Sequence, residues 1–222
     1  MYYYDVTGLR CKTIQPTTTL YTWCREHNPK ACCNASLYDM KTRVPIGTII
    51  ENGKLVHNDG NGYGVGIKDG ALEFGKPWDK SWDDYLTGYN APVLDGKYVA
   101  PSFADTYVFN CKLSRIGVGR KNGRTCIVTD DNVTLQTFAQ HAINNGFDTL
   151  VNLDGGASRF VWYDRKLRYN SSRVPYNALV WLDESDEAIE WAAKSGIITK
   201  NDPNSYVTKF ELATALYRLS RK

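Results

Sequence analysis

A carboxylate followed at once by two glycines, Asp154-Gly155-Gly156, stands at the end of a short, largely apolar run from Phe147 to Leu153. If that run is a strand, Asn152 and Asp154 project from one face while Val151 and Leu153 project from the other. Two glycines let a backbone approach a ligand closely, and their N–H groups can hold an oxyanion. Sheets commonly place ligands at the carboxyl ends of their strands. Asp-Gly-Gly is also an ordinary turn sequence, so Asp154 needs partners before it means chemistry. Two arginines are candidates. In Ser-Arg-Ile-Gly-Val-Gly, alternation puts Arg115, Gly117 and Gly119 on one face, and an arginine beside two missing side chains suits a planar anion such as a phosphate. Arg173, in Ser-Ser-Arg-Val-Pro, offers a second guanidinium, although a surface salt bridge is the commoner fate of an arginine. Asn34 closes the run Ala31-Cys32-Cys33 and reads either as a turn residue or as a polar group for a ligand.

Other chemistries find less support. His27, His57 and His141 are far apart and lack ligand spacing, and His141 falls on the flank of a predicted helix. The six cysteines include no Cys-x-x-Cys pair, which disfavours a zinc site. Buried free thiols are the expectation, with Cys126 a small core residue, and only proximity to Asn34 would recommend Cys33 as a nucleophile. No Asp-x-Asp-x-Asp loop is present, and no metal or other cofactor is expected.

The elements that must position these residues are mostly strands. Asn52-Gly53, Asp69-Gly70, Asp95-Gly96 and Asn122-Gly123 each sit between short apolar runs and predict tight hairpins. The series Gly60, Gly62, Gly64, Gly66 is not followed by a helical pattern, so it is not a nucleotide loop. A short helix is predicted over 17–27. A clearer one is predicted over 135–145, where Leu135, Phe138, Ala139, Ala142 and Ile143 share a face between a Thr134 cap and Gly146. Further strands are expected at 160–163 and 178–182. The fold class is therefore α+β: a mixed, mostly antiparallel sheet with packed helices. After about residue 183 the composition shifts to a helix–loop–helix unit, its first helix capped by Ser185 and its second opened by the capping box Thr208-Lys-Phe-Glu211. The expected division is 1–183 for the body and 184–222 for this appendage.

Composition narrows the class of function. At about 150 residues per domain, 222 residues make one sizeable domain with a small addition. Hydrophobic residues at 42% and charged residues at 23% exclude a disordered chain. A net charge of +3 without a basic stripe argues against nucleic acid as a partner. The longest purely apolar run, Ala178 to Leu182, is too short to span a bilayer. The start, MYYYDVTGLRCK, does not read as a leader peptide. Aromatic residues at 13% fit strand cores and also stacking on sugar rings.

Taken in order, Asn34 with ASLYD, PIGTIIENGKLV, YNAPVLDGK, SRIGVGRKNG, VTLQTFAQHAINNGFDTLVNLDGGAS and SRVPYNALVWL resemble the phosphodiester glycosidase family over roughly residues 30 to 182. The best-known members remove N-acetylglucosamine from mannose phosphodiesters. The resemblance implies hydrolysis between an anomeric carbon and a phosphodiester oxygen. Arg115 and Arg173 would then bind the phosphate, and Asp154 would act as nucleophile or base. Asn34 and Ser158 would orient the sugar, and Gly155 and Gly156 would supply backbone donors. Asp39, Asp105 and Asp130 are all open as a second carboxylate. The chain departs from the family at Ala35-Ser36, where two glycines are usual, at Leu37-Tyr38, where an aromatic pair is usual, and at Ala157, Ser158 and Arg159. The last 38 residues resemble part of an S-layer homology repeat. That likeness suggests a bacterial wall glycopolymer as substrate, and a start that does not read as a leader suggests a protein made in the cytoplasm, then released by lysis or carried on a phage particle. The competing expectation is a carbohydrate-binding module without turnover.

Overall fold

The computed structural model describes residues 1–60, 62–88, 90–101, 106–195, 214, 216 and 217. In chain order, β1 (Tyr2–Asp5), β2 (Arg10–Ile14) and α1 (Leu20–His27) lead into β3 (Ala31–Asn34). Hairpins follow, with β4 (Ile49–Glu51), β5 (Lys54–His57), β6 (Gly64–Lys68), β7 (Ala71–Gly75), β8 (Asp84–Thr87), β9 (Asn90–Leu94) and β10 (Lys97–Tyr98). After α2 (Thr106–Asn110) come β11 (Leu113–Lys121), β12 (Arg124–Val133), α3 (Leu135–Asn144) and β13 (Phe147–Asn152). A single 3₁₀ turn over Gly156–Ser158 precedes β14 (Val161–Tyr163), β15 (Lys166–Tyr169), β16 (Ala178–Leu182) and α4 (Glu184–Lys194).

The four Asn-Gly and Asp-Gly pairs are the turns of the hairpins β4–β5, β6–β7, β9–β10 and β11–β12, with φ positive at both residues of each pair. That geometry matches the twist of the flanking strands. A fifth tight turn, between β14 and β15, is made by Asp164 and Arg165, also at positive φ, without a glycine to mark it. Gly64 and Gly66 belong to β6. A side chain at Gly66 would collide with the Trp82 ring, so these glycines serve packing.

Every strand pairing among the described residues is antiparallel. Three sheets result, in the orders β1-β12-β11-β13-β9-β10, β15-β14-β3-β16-β2 and β5-β4-β8-β6-β7. Their inner faces meet in one core, to which the first sheet gives Ile116, Val118, Val151 and Leu153, the second Cys33, Leu179 and Trp181, and the third Ile49, Val65 and Leu86. The outer face of the first sheet is covered by α3, whose Leu135, Phe138, Ala139 and Ala142 pack on Val128, Phe147 and Leu150. Thr134 caps α3 by accepting from the Thr137 amide. On the outer face of the second sheet, Leu20 and Cys24 of α1 pack on Cys32, Phe160 and Val180.

Local differences from expectation have local causes. The first helix starts at Leu20 because Thr19 supplies the cap. The fourth starts at Glu184, since Asp183 accepts from the Asp186 amide and takes the capping place expected of Ser185. The buried Asp186 carboxylate accepts from the amides of Lys30 and Asp183 and pairs with Arg165, which ties α4 to the second sheet. The capping box at Thr208 lies outside the described residues. All six cysteines are unpaired, and five are buried. No helix among the described residues is long and apolar enough to cross a membrane.

Candidate active site

The end of β13 reaches the end of β3 at a seam between the first and second sheets. Leu153 still extends the ladder, its amide donating to the Ile116 carbonyl at 2.8 Å. The next amide changes sheets, and Asp154 N–H donates to the Ala35 carbonyl at 3.0 Å. Asn34 locks this crossing. Its Nδ2 donates to the Asp154 carbonyl at 2.6 Å, and its Oδ1 accepts from the Phe160 amide at 2.8 Å. Asn34 is fully buried with both ends of its amide committed to backbone, so it positions the Asp154 segment.

The double glycine divides into two roles. A Cβ at Gly155 would lie 2.5 Å from the Ser114 carbonyl oxygen, so only glycine lets this turn press against β11. Gly156 has φ +58 with open space around it, and its need is conformational. The 3₁₀ turn then delivers the buried Ser158 back to the carboxylate.

Asp154 is largely enclosed, and burial pushes its carboxyl up to about 6, opposed by a hydrogen bond from Ser158 and by the charge of Arg173. Arg173 Nη1 donates to Ser158 Oγ at 3.0 Å. Ser158 therefore stands between the two charges, bonded to the guanidinium and beside the carboxylate. Arg173 is exposed, and among the described residues this is the one hydrogen bond of its guanidinium, which leaves other N–H groups facing outward. Its backbone is held as well. Arg173 N–H donates to Ser171 Oγ at 3.1 Å, and Ser171 Oγ–H donates to the Ala157 carbonyl at 2.8 Å, joining this loop to the 3₁₀ turn. Asn177 completes the frame: its side-chain oxygen accepts from the Ser36 amide and its carbonyl accepts from the Ala35 amide.

Arg115 and Gly117, expected beside the carboxylate, are not brought to it. Alternation does put Arg115 on the helix-covered face, and there its guanidinium finds backbone. Nη2 donates to the carbonyls of Val108 and Cys111 at 2.6 and 2.9 Å, and Nε donates to the Val133 carbonyl at 3.2 Å. The residue is 2% exposed, and it fastens α2 to the sheet. The space left by Gly117 is filled by the Val151 carbonyl and the Leu150 side chain, and that left by Gly119 by Phe147. No room for a planar anion exists over this strand.

The three open carboxylates also have definite fates. Asp39 is exposed and accepts from the amides of Lys41 and Thr42 and from the Thr42 hydroxyl, which hold its carboxyl below the usual range. Asp130 is buried, paired with His141 at 2.7 Å and with the Met1 amino group at 3.2 Å. Asp105 lies outside the described residues. Arg159 pairs with Asp131 at 2.6 Å and lies 3.8 Å over the Tyr169 ring, away from a free phosphate-binding pose. Cys33 is buried, and burial pushes its thiol up, which does not suit a nucleophile. Among the described residues no three His, Cys, Asp or Glu side chains cluster as a metal ion would require.

Sequence reasoning assigned no site role to Ser171, Asn177 or Arg43, and Tyr38 stood out only as part of a departure from the family pattern. The hydroxyl pair before Arg173 was the one available signal for Ser171.

Comparison with known proteins sets this geometry in a family. No curated protein matches the chain. Among solved structures, the chain resembles the catalytic domain of zebrafish N-acetylglucosamine-1-phosphodiester alpha-N-acetylglucosaminidase, auto-inhibited by its pro-peptide. That likeness has a TM-score of 0.64 at 18% identity and covers 78% of this chain and 73% of that one. It also resembles a hypothetical protein from Synechocystis, with a TM-score of 0.67 at 12% identity, over 81% of this chain and 58% of that one. At these identities the likeness is one of fold. The sequence profile of the phosphodiester glycosidases matches residues 27–198, a span that contains Asn34, Asp154, Ser158 and Arg173, and the chain belongs to that family.

Proposed function

We propose that the chain hydrolyses a glycosyl phosphodiester at the anomeric carbon, releasing a free sugar and a phosphomonoester. The observation that carries this reading is the grouping of Arg173, Ser158 and Asp154, in which an exposed cation bonded to the Ser158 hydroxyl stands beside an enclosed carboxylate. A phosphate is already a good leaving group, so the site needs less general-acid help than an ordinary glycosidase does. Its tasks are to hold the phosphate and to balance charge at an oxocarbenium-like centre. Arg173 takes the phosphate oxygens. Asp154, ionised above about pH 6, acts on C1 as nucleophile or on the attacking water as base. Asn34 holds the carboxylate's backbone, and Gly155 and Gly156 are assigned the backbone donors for the substrate. Arg115 is left with a structural task. A wall glycopolymer carrying sugar 1-phosphodiesters is the natural substrate proposed.

Release of free sugar from an N-acetylglucosamine 1-phosphodiester tests the reading. Asp154→Asn is expected to lower kcat about 10²–10⁴-fold, the range for loss of a positioned proton-transfer group. Arg173→Ala should raise KM about tenfold or more, since charge-assisted bonds to an anion contribute about 1.5–3 kcal/mol. Binding of the glycan by the wild type without any turnover would favour a carbohydrate-binding module instead. Following the anomeric product by NMR separates the roles of Asp154, because retention requires a nucleophile and inversion a base.

A further inference from the structure

Arg173 sits in a segment without regular secondary structure, between β15 and β16, yet a phosphate contact requires its position to be fixed. One side is fixed by Ser171, as described. The other side is gripped by a loop from a distant part of the chain. Residues 37–46 fold into a hairpin-like turn in which Asp39 N–H donates to the Val44 carbonyl and Arg43 N–H donates to the Asp39 carbonyl, both at 2.8 Å. Asp39 Oδ1 accepts from the amides of Lys41 and Thr42, closing the tip. Arg43 is held at φ 63, a region that side chains other than glycine rarely enter. Its surroundings account for that conformation. The guanidinium lies 4.6 Å over the Tyr38 ring, donates through Nη1 to the Val174 carbonyl at 2.9 Å, and reaches the Pro175 carbonyl through Nη2 at 3.4 Å. Tyr38 OH donates to the same Val174 carbonyl at 3.1 Å. Both donors converge on the residue next to Arg173.

We propose that Arg43 and Tyr38 are positioning residues which clamp the Val174 carbonyl and so hold Arg173 ready for the substrate's phosphate. The proposal rests on the phosphodiester glycosidase reading of the Asp154 site and names what sets its phosphate affinity. The clamp also gives Asp39 a role other than acid catalysis, because its carboxylate is spent on shaping the turn that presents Arg43. Neither clamp residue touches substrate, so their removal should weaken phosphate binding more than it slows the chemical step.

The test uses the full chain, hydrolysis of an N-acetylglucosamine 1-phosphodiester, and inorganic phosphate as competitive inhibitor. Arg43→Ala is expected to raise KM and the phosphate Ki together, about 5–30-fold, with kcat within about threefold of wild type and the acid limb of kcat/KM still near pH 6. Tyr38→Phe, which keeps the ring and loses one donor, should raise both constants by about 2–5-fold, and Arg43→Lys should lie between wild type and Arg43→Ala. If Arg43→Ala fails to fold, Tyr38→Phe and Arg43→Lys decide the matter by the same two constants. A lowered Tm with KM and Ki unchanged would make the contacts merely structural and overturn the clamp alone. A wild type that neither turns the substrate over nor binds phosphate would overturn the functional reading and the clamp with it.

Discussion

Asp154 carries its own pH signature. Its folded pKa of about 6 stands above the ordinary 3.8, so protonation is favoured in the native state. The associated stabilisation is present in full below about pH 3.8 and is lost as pH rises through about 6. Above that, the enclosed carboxylate costs roughly 3 kcal/mol by the size of the shift. Asp154→Asn removes the titration. The variant should therefore melt several degrees above wild type at pH 8, with the gap closing by pH 4, as thermal denaturation across pH would measure. A gap that does not change with pH would mean that the carboxylate is solvated in the native state. This residue was legible in the sequence because a strand pattern delivers it to a glycine pair, and Arg173 was legible as an arginine before the final strand. Arg115 was not, since alternation gives the face of a side chain but not what waits there. The contacts of Tyr38 and Arg43 were invisible because their partner carbonyls lie more than 130 positions away.

Among the elements, the Gly155–Ser158 turn makes the sharpest prediction. Gly155→Ala would drive a methyl into the Ser114 backbone, and backbone cannot move aside as a flexible side chain can. Gly156→Ala meets open space and pays only for φ +58, about 1 kcal/mol. Glycosyl phosphodiester hydrolysis should thus fall sharply in the first variant and survive in the second, and equal behaviour would contradict the packing of this turn on β11. The attachment of α2 offers a second case. Arg115→Gln leaves carbonyls of α2 and β12 without their charged donor, and a loss of about 2–4 kcal/mol in denaturant unfolding is expected. Elements written in local chemistry, such as α3 and the Asn-Gly hairpins, could be read from the sequence nearly to the residue. The Asp164-Arg165 turn could not, because positive φ there is sustained by the ion pairs of Arg165 with Asp183 and Asp186 rather than by a glycine.

At the scale of the whole molecule, sequence patterning indicated antiparallel strands but not their distribution among three sheets. That partition depends on which distant strands pair, as β3 does with β14 and β16. Its consequence is that the site straddles a seam: Asp154 follows a strand of the first sheet, while Asn34, Ser171 and Arg173 belong to the second sheet and its loops. Both sheets bury their inner faces in the same core, with Val151 and Leu153 from one and Cys33 and Trp181 from the other. The two sides therefore cannot separate without opening that core, and a ligand bridging them stabilises the fold as a unit. Inorganic phosphate at 100 times its Kd should add about 2.7 kcal/mol to unfolding, and at this chain length each kcal/mol moves Tm by about 2–4 °C. The shift should appear in a single cooperative transition followed by tryptophan fluorescence, and Arg173→Ala should abolish it. Two transitions, with phosphate moving only one, would show that the sheets unfold independently and that the seam is not shared.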